Sequence, residues 1–184
     1  MKNLIITTAI LIAGIINSCK KANNDNGNEA QTETAKYGIE VNDSQKTGSF
    51  SIDEKNYSAP VETQYFGDHE KGNFSLLCQH NESDDPENAN HQLLQLIFLN
   101  EKDAQNATLK IYEGGSSLPM TDAEPGIVAV SLSGVGNGLD KSEFTGSTKS
   151  TGTISVKNRI ATLKDVVLFN AEGAKKVINA ALPF

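Results

Sequence analysis

The stretch Gly48-Ser49-Phe50-Ser51-Ile52-Asp53-Glu54-Lys55-Asn56-Tyr57 decides how the rest of the chain is read. Small polar side chains alternate with Phe50 and Ile52, the period of two that gives a strand one dry and one wet face. Asp53-Glu54-Lys55-Asn56 follows as a four-residue polar turn, and from Tyr57 a second strand runs to residue 66. Pro60 has no N–H for a ladder, which places part of that second strand at an edge or a bulge.

Outward from this hairpin the pattern recurs. Residues 74–80 and 93–99 form a second strand pair across the polar loop 81–90, and residues 67–72 form a loop bracketed by glycines. Further strands are expected at 108–112, 127–132, 144–148, 152–156 and 163–169. The last residues carry two periods. Ala174, Val177, Ile178, Ala181 and Leu182 repeat at helical spacing, whereas Ile178, Ala180, Leu182 and Phe184 line one face of a strand. Pro183 and the β context select a strand. Strands at this density predict an all-β domain over 47–184, an antiparallel β-sandwich of immunoglobulin-like or barrel-like form.

Before the domain come two segments of different character. Met1-Lys2-Asn3 precedes a 13-residue stretch, Leu4 to Ile16, that is apolar but for Thr7, Thr8 and Gly14. A spanning helix needs about 20 apolar residues, so this length suits a cleaved export signal over 1–18. Ile16-Asn17-Ser18-Cys19 then resembles the bacterial lipobox, with an aliphatic residue at minus three, a small one at minus one and the cysteine that becomes the new N-terminus. That resemblance implies a diacylglyceryl thioether on the Cys19 sulfur, with fatty chains such as palmitate, and a free or acylated amine. One acyl chain anchors weakly, but two or three hold firmly at about 0.8 kcal/mol per buried methylene. Residues 19–46 are polar, with Tyr37, Ile39 and Val41 as the only sizeable apolar groups, and are expected to form a lipidated, flexible tether. As a random coil, residues 20–46 would span about 25–30 Å.

Removing residues 1–18 takes away Lys2 and no acid, leaving 15 basic against 23 acidic residues and a formal charge of minus eight. The densest positive pairs are Lys20-Lys21 and Lys175-Lys176. Nucleic-acid binding needs a cluster of phosphate-neutralising cations, which excludes that class. An acidic surface favours solubility and attracts cations.

The lipobox, the polar tether and the opening run from Gly48 to Tyr57 together look like small lipoproteins of the Bacteroidota, whose domains begin with a small–apolar strand, an acidic turn and an aromatic. Thr151-Gly152-Thr153-Ile154-Ser155-Val156 and Val166-Val167-Leu168-Phe169-Asn170 are similar to closing strands of such domains. Most of these families have no assigned activity, so the resemblance implies fold and location. Lys20 at the second mature position, in place of the aspartate that retains some lipoproteins at the inner membrane, implies the outer membrane on either face.

Several residues could carry chemistry. Cys78, His80 and His91 are ligand types that zinc accepts. On strands, Phe74, Leu76, Cys78 and His80 share one face, and Leu94, Leu96 and Phe98 form the matching face of the partner, which sends His91 to the opposite side. A rival apolar face runs through Leu93, Ile97 and Leu99, but the first pairing is the expectation, with a buried Cys78 and no metal. The loop Asn81-Glu82-Ser83-Asp84-Asp85-Pro86-Glu87-Asn88 is rich in calcium-type oxygens yet lacks the EF-hand order. Lys46-Thr47-Gly48 matches one β-lactamase element without its S-x-x-K companion, and no G-x-S-x-G elbow occurs. Gly134-Val135-Gly136-Asn137-Gly138 leads toward a strand rather than the helix that a phosphate cradle needs. His69 between Asp68 and Glu70 reads as a turn.

No cofactor is implied. The reading is a non-enzymatic binding or structural β domain, lipid-anchored to the membrane and engaging an envelope protein or glycan through loops 67–72, 81–90 and 134–142 or an edge strand. A protective inhibitor or immunity lipoprotein and an envelope hydrolase are the alternatives. Mass spectrometry of membrane fractions should find an N-terminal peptide starting at acylated Cys19, and Cys19→Ala should release the protein from the membrane. Undiminished membrane retention of that variant refutes the lipid anchor.

Overall fold

The computed structural model describes residues 39–67, 72–83, 90–105, 107–118, 124–136, 138–139 and 142–184, with side chains described from Lys46 onward. The described residues lie within one compact unit, Thr34–Phe184. Among the described residues there are ten strands: β1 (Ile39–Ile52), β2 (Lys55–Phe66), β3 (Asn73–Asn81), β4 (His91–Phe98), β5 (Thr108–Ile111), β6 (Ile127–Val135), β7 (Phe144–Thr145), β8 (Thr153–Lys157), β9 (Ile160–Phe169) and β10 (Lys175–Pro183). The domain is all-β, as expected.

The ladder runs β10-β1-β2-β3-β4-β6-β5-β8-β9, and β9 pairs again with β10. The strands thus form one barrel-like closed sheet with no break into two separate sheets. The short β7 bridges β6 and β9. Closure removes the open edges that a sheet otherwise presents for pairing with other chains. All pairings are antiparallel except β5 with β6.

The inner faces are apolar, and the outer faces are mostly polar. Tyr57, Ala59, Val61 and Tyr65 of β2 point inward and are buried, while Ser58 and Pro60 between them are exposed. The inner residues of β3, β4 and β6 (Phe74, Leu76 and Cys78; Leu94, Leu96 and Phe98; Val128, Val130 and Leu132) complete a core with no exposed surface. A membrane-spanning barrel has the reverse arrangement, with its apolar band outside. Gly48 faces this core, where a Cβ would meet the Val61 and Leu182 side chains, so glycine allows β1 to approach β2 and β10 closely.

Three local details differ from the sequence expectation. β1 begins at Ile39 and pairs with β2 from Ile39↔Phe66 to Asp43↔Glu62, so the strand starts within the expected tether. The 12-residue β2 offers a full backbone ladder that these otherwise polar residues join. The expected four-residue turn is instead two residues, because Ile52 pairs with Lys55. Asp53 and Glu54 both have positive φ, 48° and 81°, as the tight turn matched to strand twist requires. Finally, the strand expected at 144–148 stops at Thr145. The C-terminal segment forms a strand, as expected, over Lys175–Pro183.

β9 contains a bulge. Val166 pairs with Ile178 and Leu163 with Ala180, so Lys164 and Asp165 oppose Asn179 alone. Asp165 sits at φ 51°, and its N–H donates to Asn179 Oδ1 at 2.9 Å. The extra residue shifts the phase, putting Ala161, Leu163, Val166 and Leu168 on the same inner face.

The two-residue turn is held from β10. The Val177 N–H donates to Asp53 Oδ1 at 2.9 Å, and Lys176 Nζ donates to Oδ2 at 2.8 Å. Burial pushes the Asp53 carboxyl up, but these two hydrogen bonds and the charges of Lys176 and Lys175 outweigh it, so its pKa lies below 3.8. The stability this adds is present above the ordinary carboxyl pKa and fades as pH falls through the lowered one. A left-handed L-residue costs about 1–2 kcal/mol, so Glu54→Gly should stabilise the domain by several tenths of a kcal/mol, net of about 0.5–1 kcal/mol for glycine's lost freedom. Asp53→Ala should destabilise it by about 1–2 kcal/mol. Denaturant melts of both variants at pH 7 check the two signs.

Candidate functional site

The residues singled out by sequence are dispersed. Cys19 lies outside the described residues, as do 68–71 and 84–89, which include His69 and most of the acidic loop. The flanks of that loop are tied together: Glu82 N–H donates to the Asn90 carbonyl at 2.8 Å, and Lys55 Nζ meets Glu82 Oε1 at 3.0 Å. Lys46 donates to the main-chain oxygen of Phe184 at 2.8 Å, which ties β1 to the end of β10.

The β3–β4 register is the one expected from the apolar faces. Cys78 lies opposite Leu94, His80 opposite Gln92 and Asn81 opposite His91, so Cys78 and His80 sit on the inner face and His91 on the outer. His80 Nδ1 lies 3.0 Å from the Ser58 carbonyl. A carbonyl oxygen only accepts, so the proton belongs on Nδ1 and Nε2 is left as an acceptor. The His80 ring is tilted against Tyr57 at 5.4 Å, and Cys78 Sγ points to the Ala59 carbonyl at 3.7 Å.

The two ends of the barrel differ. At one end Phe74 packs with Tyr65, Phe98 and Phe184 at ring distances of 5.1, 6.0 and 5.6 Å. Arg159 stacks over the Phe184 ring at 4.8 Å, donates to its main-chain oxygen at 2.9 Å and reaches Glu101 at 3.1 Å. Tyr65 donates to the other Glu101 oxygen at 3.0 Å, which completes an apolar plug under a polar clasp. At the other end, the Lys55 ammonium lies 5.4 Å from the centre of the Tyr57 ring, and the buried Gln92 Oε1 has no hydrogen-bond partner among the described residues. Leu139 of the β6–β7 connection is fully buried there.

The candidate site lies outside the barrel wall. A cleft of about 450 Å³ opens between β7, the turn after β9 and the segment around Gly115. That volume falls within the roughly 300–1,000 Å³ of small-molecule sites. Ser142, Glu143, Thr145 and Ser147 form one wall, Phe169, Asn170 and Glu172 another, and Gly115 and Ser116 close it. Each wall is held by a specific contact. Thr145 pairs with Ser131 and with Phe169, which fixes β7 between two long strands. Gly115 bridges Gly146, where a side chain would collide with the Tyr112 carbonyl, so glycine there lets the 112–116 segment sit against β7. Asn170 Oδ1 accepts from the Glu172 and Ala174 N–H groups at 3.1 and 2.8 Å, which shapes the turn, and its Nδ2 reaches Ser142 Oγ at 3.5 Å.

Chemically the described lining is hydroxyls, an amide, two carboxylates and the half-buried Phe169 ring, with no lysine, arginine, histidine or cysteine among the described residues. Among the described residues of the loops expected to carry recognition, 134–142 contributes Ser142. The sequence signal elsewhere, Ser, Thr and Asn near glycine at 142–147 and 170–173, is indistinguishable from ordinary turn composition.

Burial pushes the Cys78 thiol up to about 11. Native protein at pH 8 should react with a thiol reagent at least about a hundredfold more slowly than unfolded chain, because the thiolate is the nucleophile. The unfolded chain loses this proton near pH 9 while the fold retains it to about 11, so stability should fall as pH rises across that window. Rapid native labelling at pH 8 contradicts the buried placement.

Compared with known families, curated proteins and solved structures, the chain matches none.

Proposed function

We propose that this protein is a lipid-anchored, non-enzymatic binding module of the bacterial envelope, carried in the outer membrane by acyl groups on Cys19. The anchor half of the reading rests on Ile16-Asn17-Ser18-Cys19 and the short apolar segment before it. The binding half rests on one observation, the cleft of about 450 Å³ whose walls, set by strand ends and turns, present hydroxyls, an amide and carboxylates beside apolar surface. Groups already placed by the fold lower the ordering cost of binding, which is how a concave site gains affinity without reactive groups. In the sandwich or barrel architectures proposed from sequence, ligands are held in this way, by strand ends and the loops between them.

The hydrolase reading has one observation in its favour, since Glu143 and Glu172 share the cleft. Paired carboxylates cleave glycosidic bonds when one is buried enough to stay protonated. Both glutamates stand exposed, which favours holding a ligand over cleaving it.

The test uses the acylated full-length protein added to washed envelopes of a strain deleted for its gene. It should fractionate with the outer membrane and bind one envelope component saturably, without altering that component. Turnover of an envelope substrate, abolished by Glu143→Gln or Glu172→Gln in a protein with an unchanged melting curve, would replace the module with an enzyme.

A further inference from the structure

The cleft walls share one kind of chemistry, and that chemistry selects among ligands. An anionic ligand such as a phosphate, sulfate or uronate would lie beside the carboxylates of Glu143 and Glu172, and no described lining residue is a cation that would offset the repulsion. An apolar ligand would cover the hydroxyls of Ser116, Ser142, Thr145 and Ser147 without replacing their hydrogen bonds to water. A simple amine would satisfy the two carboxylates but leave that row of hydroxyls unmatched.

Sugar hydroxyls meet each demand. Every sugar O–H both donates and accepts, as serine and threonine hydroxyls do, and neighbouring hydroxyls can donate together to one carboxylate. The half-buried Phe169 ring supplies a small apolar surface for the C–H face of a sugar ring. The polar side chains are held in place by the β6–β7–β9 pairing, the Gly115–Gly146 bridge and the Asn170 turn. We propose that the cleft between β7, the β9–β10 turn and the Gly115 segment is a binding site for neutral glycans, with Glu143 and Glu172 accepting from sugar hydroxyls and Thr145 and Ser142 exchanging hydrogen bonds with them. This assignment rests on the binding-module reading and specifies its ligand class.

The experiment uses the full-length acylated protein in a detergent without a sugar head group. The probes are neutral gluco-, manno- and galacto-oligosaccharides, sulfated and uronic-acid oligosaccharides, and spermidine, measured by calorimetry and on an array. At least one neutral oligosaccharide should bind with a Kd of about 1 mM or tighter, and Glu143→Gln and Thr145→Val should each weaken it about tenfold or more. Glu62→Gln, on the β2 wall away from the cleft, should leave binding unchanged. Should either cleft substitution impair folding, Ser116→Ala replaces it as a cleft variant and should likewise weaken binding.

Preference for acidic oligosaccharides or spermidine overturns the assignment, as does neutral binding that survives the cleft substitutions. Absence of neutral binding up to about 10 mM also overturns it. Saturable envelope binding that persists in a Glu143→Gln, Thr145→Val protein removes the glycan role of the cleft while leaving the binding module standing. Loss of a bound glycan through cleavage, read as new reducing ends, instead overturns the non-enzymatic reading and keeps the ligand class.

Discussion

The final strand, β10, pairs with β1 on one side and β9 on the other, and every other feature of the domain depends on that double pairing. Without it, β1 and β9 would each present a row of unpaired N–H and C=O groups, and the inner faces of all the strands would open to water. With it, the backbone groups are satisfied around the ring, and Ile178, Ala180 and Leu182 enter the same core as Phe50, Val61 and Leu163. The contacts that hold β10 are concentrated at its two ends. Asp53 grips Lys176 and the Val177 N–H at one end, and Arg159 and Lys46 grip the main-chain oxygen of Phe184 at the other.

These end contacts make the barrel asymmetric. The Phe74, Phe98 and Phe184 rings fill one end with apolar volume and cover it with the Arg159–Glu101–Tyr65 clasp. The opposite end holds the buried Leu139 and the buried Gln92, whose Oε1 has no hydrogen-bond partner among the described residues.

Between β6 and β9 the wall is bridged by short strands, and one of the domain's clefts lies there. β5 and β8 bridge the two strands near one end, while the two-residue β7 bridges them near the other. A strand this short cannot cover the sheet face, so the Gly115 segment and the Asn170 turn stand up on either side of it and leave a cleft. The hydroxyls, amide and carboxylates that line this gap face water, so they carry no desolvation cost until a ligand displaces that water.

Much of the fold was legible in the sequence because it depends on local periodicity. Alternation in 48–52 and 74–80, glycine and polar loops between strands, and Pro183 at the end were enough to assign an all-β domain and its final strand. The matched apolar faces of Phe74, Leu76 and Cys78 with Leu94, Leu96 and Phe98 also set the β3–β4 register and thereby separated His91 from Cys78 and His80. The resemblance of Ile16-Asn17-Ser18-Cys19 to a lipobox is carried by a linear motif and needs no fold to be seen.

What depends on distant partners could not be read along the chain. Asp53 and Glu54 adopt a two-residue turn because β10 supplies a lysine and an N–H more than 120 residues away. Unbroken alternation would have put Val167 and Phe169 beside Leu163, and only the bulge opposite Asn179 brings Val166 and Leu168 inward. The cleft draws its walls from 115–116, 142–147 and 169–172, and none of these segments alone has more than the composition of a turn. Periodicity reports which face of a strand is dry, but closure of the sheet decides which strands meet and what lies in the gap between them.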